Sequence, residues 1–285
     1  MTVRHTVASV LMLGSSLAAP AAAQKDVPVA GVLRTTSDYL ATYVAKVSGL
    51  TLMEEYTLLD VTGGRMVSTQ RLTSDVVLIN LSGKVLALRD AYAIDANPLR
   101  ERQPRITALL AKPTLAGWDQ AQAWAAETAR YMMDTLVARS NEPTLALQFA
   151  DAANQSRVTY RIDGRKKMDG VEVVGLRFQE TKTPGDAYIV VTPEKALASG
   201  RLWVDPASGQ VHRTELSLQS EAESARIEVE YSRDGKLDLW IPKQMTDLYD
   251  VKERTGTNSY LRRSFQGRAD YSNPRLTPID MTAMK

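Results

Sequence analysis

The chain has 285 residues, of which 35 are basic and 33 are acidic, so its formal net charge is +2. Hydrophobic residues make up 44% of it, enough for a folded core and too many for a disordered chain. Balanced charge gives no reason to expect a nucleic-acid partner, and the absence of cysteine excludes disulfides, thiolate nucleophiles and zinc–cysteine sites.

The first 23 residues have the pattern of a secretory signal peptide. Arg4 and His5 form a charged start, Val7 to Leu17 is largely apolar, and Ala21-Ala22-Ala23 offers the small residues that signal peptidase requires. The apolar run is about half as long as the ~20 residues of a membrane-spanning helix. We therefore predict a cleaved signal at 1–23, a mature domain at 24–285 that does not span a membrane, and a periplasmic or secreted location.

A helix and a β-hairpin are predicted next. Apolar residues recur at helical spacing from about Val29 to Ser48. Leu50 to Val61 is rich in Thr and aliphatic residues, which favours a strand. Two apolar runs, Val76 to Leu81 and Val85 to Ile94, are separated by Ser82-Gly83-Lys84, the pattern of a hairpin.

Residues from about 104 to 149 are predicted to form a helical insertion. Pro104 suits a helix start, and a second helix is expected to begin near Trp118, after Gly117. Met132 and Met133, together with Trp118 and Trp124, could form a pliable apolar lid, because methionine adapts to irregular surfaces. Their helical spacing is also that of ordinary core packing.

From Ser156 onward the pattern is almost entirely strand, with Gly-containing turns between the segments. Serial strands with short turns are typical of an antiparallel meander. The candidate strands are Arg157–Ile162, Val171–Thr181, Tyr188–Val191, Arg201–Val204, Val211–Gln219, Arg226–Tyr231, Gln244–Val251 and Phe265–Tyr271.

Alternation within these strands predicts a sheet with one apolar face. In Val211–Gln219 one face carries His212, Thr214, Leu216 and Leu218, and the other carries charged or polar side chains. In Arg226–Tyr231 the apolar side chains also lie on one face. A helix that covers such a face incompletely leaves an apolar cavity, the usual form of a small-molecule site.

From about Tyr160 to Tyr271 the chain resembles the periplasmic lipoprotein carriers LolA and LolB and their superfamily. The segments that carry the resemblance are Gly170–Val174, Arg201–Val211, Leu239–Pro242 and Gly267–Tyr271. The whole chain also resembles an uncharacterised exported bacterial family through Leu88-Arg89-Asp90, Pro143–Leu147 and the later hairpin. The carrier resemblance implies an unclosed β-barrel, helices that plug its concave side, and an acyl chain or another apolar ligand.

Few residues suggest catalysis. His212 is the sole histidine outside the predicted signal and is either a general base in the cavity or a packed core histidine. Glu54 and Glu55 are adjacent in a strand, point to opposite faces and cannot share a proton as a catalytic pair. We expect no catalytic residue, metal site or cofactor.

Basic side chains form groups that could contact anionic lipid headgroups, although such groups are more often solvated surface. These groups are Arg165-Lys166-Lys167, Arg262-Arg263, and Arg100 with Arg102 and Arg105.

The pattern as a whole predicts an α+β fold, in which an N-terminal helix and the middle helical insertion pack on a curved antiparallel sheet. The leading hypothesis is an envelope protein that binds an apolar or lipid-like ligand. Two alternatives stay open, a hydrolase of envelope components that uses His212 and a structural partner of an envelope protein complex. The candidate ligand-binding residues are His212, Leu216, Leu218, Trp118, Trp124, Met132 and Trp203.

Overall fold

The structure is a computed structural model that describes residues 27–132, 137, 140–181, 189–190, 195–256 and 259–282. The predicted signal at 1–23 and Met133 lie outside the described residues. Twelve antiparallel strands form the sheet, in the order β4–β3–β2–β1–β12–β11–β10–β9–β8–β6–β5, with β7 paired to β8. The strands are β1 Leu50–Thr62, β2 Arg65–Leu81, β3 Lys84–Ile94, β4 Asn97–Pro98, β5 Val158–Met168, β6 Val171–Glu180, β7 Ile189–Val190, β8 Lys195–Val204, β9 Val211–Gln219, β10 Glu223–Asp234, β11 Leu239–Arg254 and β12 Tyr260–Leu276.

The sheet is unclosed, because its two end strands, β4 and β5, do not pair with each other in the described chain. The predicted unclosed antiparallel sheet is therefore confirmed. β2 begins at Arg65, eleven residues before the predicted start at Val76. Residues 65–69 pair with β1 while exposed to solvent, so they carry no apolar alternation from which a strand could be predicted.

Five helices can be given bounds within the described residues, three of them α-helices and two 3-10 helices. They are α1 Val29–Lys46, α2 Arg105–Leu110, α3 Leu115–Ala129 and the 3-10 helices Leu145–Ala150 and Ala152–Arg157. The predicted N-terminal helix is confirmed. Helix α3 begins at Leu115, before the predicted start near Trp118. The side chain of Thr114 accepts a hydrogen bond from the backbone N–H of Gly117 and caps the helix at this earlier position.

The helices lie on opposite faces of the sheet. We call the face that packs against α1 and the first 3-10 helix the inner face, and we call these two helices with the segment before the 3-10 helix its cover. The inner face contains the larger core. On the outer face, Val77, Ile79 and Leu88 form a second core with α2 and α3. Helices α2 and α3 belong to the predicted middle insertion and pack on the sheet as predicted, on its outer face. Val76–Ile79 is apolar at every position, so this part of the sheet needs a cover on both faces.

The turn between β8 and β9 holds α1 closely. Gly209 in this turn has a φ of +75°, and a Cβ built on it would lie 2.0 Å from the carbonyl oxygen of Thr35 in α1. Only glycine combines this backbone conformation with so close an approach. The predicted tight turn at Asp205–Gly209 thus also sets the position of the helix that covers the inner face.

Candidate functional site

Four of the predicted ligand-binding residues belong to the inner face or its cover. His212, Leu216 and Leu218 are buried at alternate positions of β9, as the alternation predicted. Met132, after the end of α3, is buried in the same inner core as the two leucines. These residues form part of a packed interior.

His212 is enclosed by its neighbours. Its ring centroid lies 4.5 Å from that of Trp240, and its Nε2 lies 3.2 Å from the amide nitrogen of Gln210. The Asp169 carboxylate is 3.5 Å from its Nδ1. The imidazole is 1% exposed and does not line the open groove of about 520 Å³ that Gln210 and Trp240 border. This environment is that of a packed core histidine.

The three tryptophans among the predicted residues lie away from the inner core. Trp118 and Trp124 pack against the outer core, and the guanidinium of Arg105 lies 4.4 Å from the Trp124 ring centroid. Trp203 is covered by Lys166, whose Nζ is 3.7 Å from the ring centroid, and its indole N–H donates to Glu215. The seven predicted residues are therefore divided between regions and do not line one common cavity.

The cover lies directly on the inner face. Between α1 and the first 3-10 helix the structure contains an apolar slit of about 20 Å³, bordered by Leu40, Val44, Val85 and Leu147. Ligand pockets of drug-sized molecules usually have volumes of roughly 300–1,000 Å³. The slit is therefore closed to an acyl chain in this conformation.

A buried charged cluster lies beside the apolar part of the inner face. Arg89 in β3 donates to Glu54 in β1 through Nε, at 2.5 Å from Oε2, and through Nη2, at 2.8 Å from Oε1. The hydroxyl of Ser74 in β2 donates to the same carboxylate at 2.9 Å. A buried ion pair persists only when its hydrogen bonds are satisfied, and this fork geometry satisfies most of them.

Asn141 joins this cluster to the segment that covers the inner face. Its side-chain oxygen accepts from Arg89 Nη2 at 2.7 Å, and its backbone carbonyl accepts from the same nitrogen at 3.1 Å. Its amide nitrogen donates to Asp247 Oδ2 in β11 at 2.9 Å, and the hydroxyl of Tyr56 donates to Asp247 Oδ1 at 3.1 Å. One asparagine therefore bridges two strands that lie far apart in the sheet.

Two carboxyl groups near Asn141 have raised pKa values. Burial raises the pKa of Asp247 to about 7; the Glu54 carboxylate adds to the rise, and the Tyr56 hydroxyl and Arg89 oppose it. Burial also raises the pKa of Glu142 to about 7 against the opposing charge of Arg89. Near neutral pH each of these carboxyl groups is therefore partly protonated, so the charge in this region changes with pH.

The alternation along β1 and β11 marks the charged residues of the cluster in the sequence. Glu54 occupies the same alternate positions of β1 as the buried Leu52, Tyr56 and Leu58, and Asp247 lies likewise between the buried Met245 and Tyr249. The prediction that Glu54 and Glu55 point to opposite faces agrees with their burial, since Glu54 is buried and Glu55 is exposed. A charged residue in a buried register requires a partner, but alternation does not identify that partner.

The basic residues just before α2 and at its first position are ion-paired on the outer face. Arg102 lies 2.7 Å from Asp75, while Arg105, at 2.7 Å, and Arg100 both contact Asp90. Both aspartates are buried. These arginines therefore anchor the loop before α2 to the sheet, and the proposed contact with lipid headgroups has no support at this position.

Within the described residues, no group of three or more His, Cys, Asp or Glu side chains is arranged to hold a metal ion. No helix in the described part of the chain has both the length and the apolar character needed to cross a membrane.

Comparison with known proteins finds likeness in fold only. No protein-family model matches the chain, and no curated protein matches it. Among solved structures, a DUF1329 family protein from Desulfovibrio piger is 13% identical with a TM-score of 0.39, and the alignment covers 91% of this chain and 98% of that one.

Two further solved structures also have low sequence identity and low TM-scores to this chain. A putative outer membrane lipoprotein-sorting protein domain from Vibrio parahaemolyticus is 10% identical with a TM-score of 0.40, over 87% of this chain and 93% of that one. A LolA superfamily protein from Nitrosomonas europaea is 10% identical with a TM-score of 0.29, over 84% and 93% of the two chains. Likeness of this degree does not extend to function, because function depends on sites and not on folds.

Proposed function

We propose that the chain is an exported envelope protein that binds an apolar or lipid-like ligand on the inner face of its sheet. The observation that carries the proposal is how this face is covered. In the described chain, α1 lies on it together with the segment from around Asn141 to the first 3-10 helix, and polar bonds of Asn141 tie that segment to the sheet. Such a cover can move without breaking the pairing between strands.

Binding requires that the cover move. The slit beneath α1 is about 20 Å³, whereas a ligand of lipid size needs several hundred. Leu40 and Val44 of α1 face Leu147 of the 3-10 helix across this slit. Separation of these two helices would extend the slit over the apolar side chains of the inner face and make room for an acyl chain.

The charged cluster reduces the cost of opening. Exposure of apolar side chains to water is unfavourable, at roughly 25 cal/mol per Å². Hydration of Arg89, Glu54 and Asp247 is favourable, because burial of charged groups costs several kcal/mol for each group. These two effects oppose each other, so a closed and an open state can lie close in free energy, and a ligand that binds the open state shifts the population towards it.

His212 does not favour the hydrolase alternative. A general base must reach the proton that it abstracts, within about 3 Å or through one water molecule. The imidazole is buried against Trp240 and Gln210 and does not line the open groove that those two residues border. We therefore propose a binding protein and not an enzyme.

The direct test is to extract lipids from protein purified after expression of the full-length sequence and to identify them by mass spectrometry. We expect a reproducible apolar ligand in roughly stoichiometric amount. Empty protein that also fails to bind a fluorescent fatty acid would refute the proposal.

A pair of variants tests the role of the cover. Asn141→Ala removes the hydrogen bonds of that side chain to Arg89 and Asp247 and should increase the uptake rate of the fluorescent fatty acid. Asn154→Ala is the matched control, because its amide donates to the backbone oxygen of Gln148 within the covering segment itself. Equal uptake rates in the two variants would show that Asn141 does not hold the cover closed.

A further inference from the structure

Exposed apolar side chains are concentrated at one end of the sheet. Seven large apolar side chains are exposed in the described chain, and four of them, Met66, Val67, Tyr260 and Leu261, lie at the ends of two hairpins. Met66 and Val67 follow the turn between β1 and β2, and Tyr260 and Leu261 begin β12. We call these four residues the hairpin tip.

The two hairpins are neighbours and project beyond the packed core. β1 pairs with β12, and Thr62 lies opposite Arg263, so the turn at Gly63–Gly64 lies beside the first residues of β12. Residues 65–69 and 259–262 are exposed at every position. Phe265 is the first buried residue along β12. The hairpin tip is thus an apolar projection that no other described element covers.

Two exposed arginines, Arg65 and Arg262, lie next to the apolar residues of the hairpin tip. Arg65 is exposed and forms no ion pair with any described residue. Arg262 is 72% exposed while it contacts Asp250 at 3.3 Å. The carboxylates of Asp60 and Glu253 are both engaged by Arg263. The acidic groups here are therefore each paired with an arginine, and Arg65 carries a positive charge that no described carboxylate neutralises.

We propose that the hairpin tip docks the protein on a lipid membrane surface that carries anionic headgroups. A tyrosine and aliphatic side chains flanked by arginines match the boundary between headgroups and acyl chains, where apolar side chains insert and basic ones contact phosphates. A stable protein–protein interface needs about 20–30 residues on each side, many more than this projection offers. The docking is peripheral and independent of ligand binding on the inner face.

The test is co-flotation of the protein, expressed from the full-length sequence, with vesicles at low salt. We expect binding to vesicles with phosphatidylglycerol, weaker binding to pure phosphatidylcholine, and loss of binding as ionic strength rises. Met66→Asp should reduce the affinity roughly tenfold to a hundredfold, since it removes the burial of one large apolar side chain. Arg65→Glu should weaken binding to the anionic vesicles alone.

Leu115→Asp is the matched control. Leu115 is 70% exposed and Met66 is 68% exposed, but Leu115 lies at the start of α3, outside the hairpin tip. We expect wild-type flotation from this variant. Wild-type protein that does not float with anionic vesicles, or equal losses in Leu115→Asp and Met66→Asp, would overturn the proposal.

Two further measurements separate the hairpin tip from other roles. Fluorescent fatty-acid binding in solution should be the same in Met66→Asp and in the wild type, so failure of docking and failure of the proposed ligand binding are distinguishable. In analytical ultracentrifugation we expect the wild type and Met66→Asp to have the same oligomeric state. A wild-type dimer that Met66→Asp converts to monomer would mean that the tip contacts a second copy of the chain, and it would overturn the docking proposal.

Discussion

Substitution of Gly209 by alanine should displace α1 from the sheet. A Cβ at this position would lie 2.0 Å from the carbonyl oxygen and 2.3 Å from the carbonyl carbon of Thr35, and 2.7 Å from the nitrogen of Thr36. All three are backbone atoms, so no side-chain rotation relieves the contact. The shortest distance must increase by about 1.4 Å to reach ordinary van der Waals separation near 3.4 Å, and therefore the helix or the turn must move.

Gly170→Ala provides the matched control for backbone strain. Gly170 has a φ of +84° in the turn between β5 and β6, and nothing lies within 4 Å of the position its Cβ would take. We expect Gly170→Ala to cost about 1–2 kcal/mol through the left-handed conformation alone. Gly209→Ala adds the effect of overpacking, typically 1–3 kcal/mol, so its total should be about 2–5 kcal/mol.

Urea unfolding measures the two losses of stability, and the fluorescence of a surface-binding apolar dye in native buffer reports exposure of the inner face. Displacement of α1 uncovers the side of the sheet on which Val32, Leu40 and Tyr43 are now buried. Gly209→Ala should therefore bind more dye than either the wild type or Gly170→Ala. If the two variants have equal stability and equal dye binding, α1 does not depend on close contact with the β8–β9 turn, and our account of the cover fails.

Three further predictions concern the charged cluster. Arg89→Met should lower the free energy of unfolding by about 3–5 kcal/mol in urea unfolding, because Glu54 is left buried without its ion-pair partner; addition of Glu54→Leu should restore most of the loss, and no restoration would contradict this reasoning. Because the pKa of Asp247 is raised from 3.8 to about 7 in the folded protein, the free energy of unfolding should fall as pH rises from about 4 to about 7 and then level off, and Asp247→Asn should remove about 1.4 kcal/mol per pH unit of that fall; unchanged slopes in thermal unfolding would refute it. Gly267→Ala would place a Cβ 1.8 Å from Asp247 Oδ1 and 2.3 Å from the Tyr56 hydroxyl, so calorimetry should show a melting temperature several degrees lower, and an unchanged one would mean that the two side chains move freely.

Local patterns in the sequence predicted many elements of the fold. Apolar spacing placed α1 within two residues of its observed end, and alternation identified the buried positions of β9 and β10. The apolar pattern of the sequence was least informative about strand boundaries where the side chains of a strand are exposed. The exposed ends of β2 and β12 carry no alternation, so these strands were predicted too short, and with them the hairpin tip was missed as a feature.

The candidate site could be predicted only in part. Leu216 and Leu218 were assigned correctly to the apolar face, since side chains in a strand alternate with a period of two. The assignment of Trp118 and Trp124 to the same region had no such basis, because the face on which a helix docks depends on how its connections cross the sheet. Glu54, Arg89, Asn141 and Asp247 come from four separate segments, and no spacing relates them.

By itself, then, the sequence determined the class of the fold, the position of α1, the tight turn at Asp205–Gly209 and the apolar side of individual strands, because backbone conformation and side-chain period are local properties. The tertiary structure decided the pairing of β1 with β12, which brings the two hairpins of the tip together. It also decided which helices cover the inner face and which charges meet there. Those outcomes depend on contacts between residues separated by as many as 231 positions, as in the hydrogen bond that the Ser48 hydroxyl donates to the backbone carbonyl of Ile279, and only the complete packing of the chain selects them.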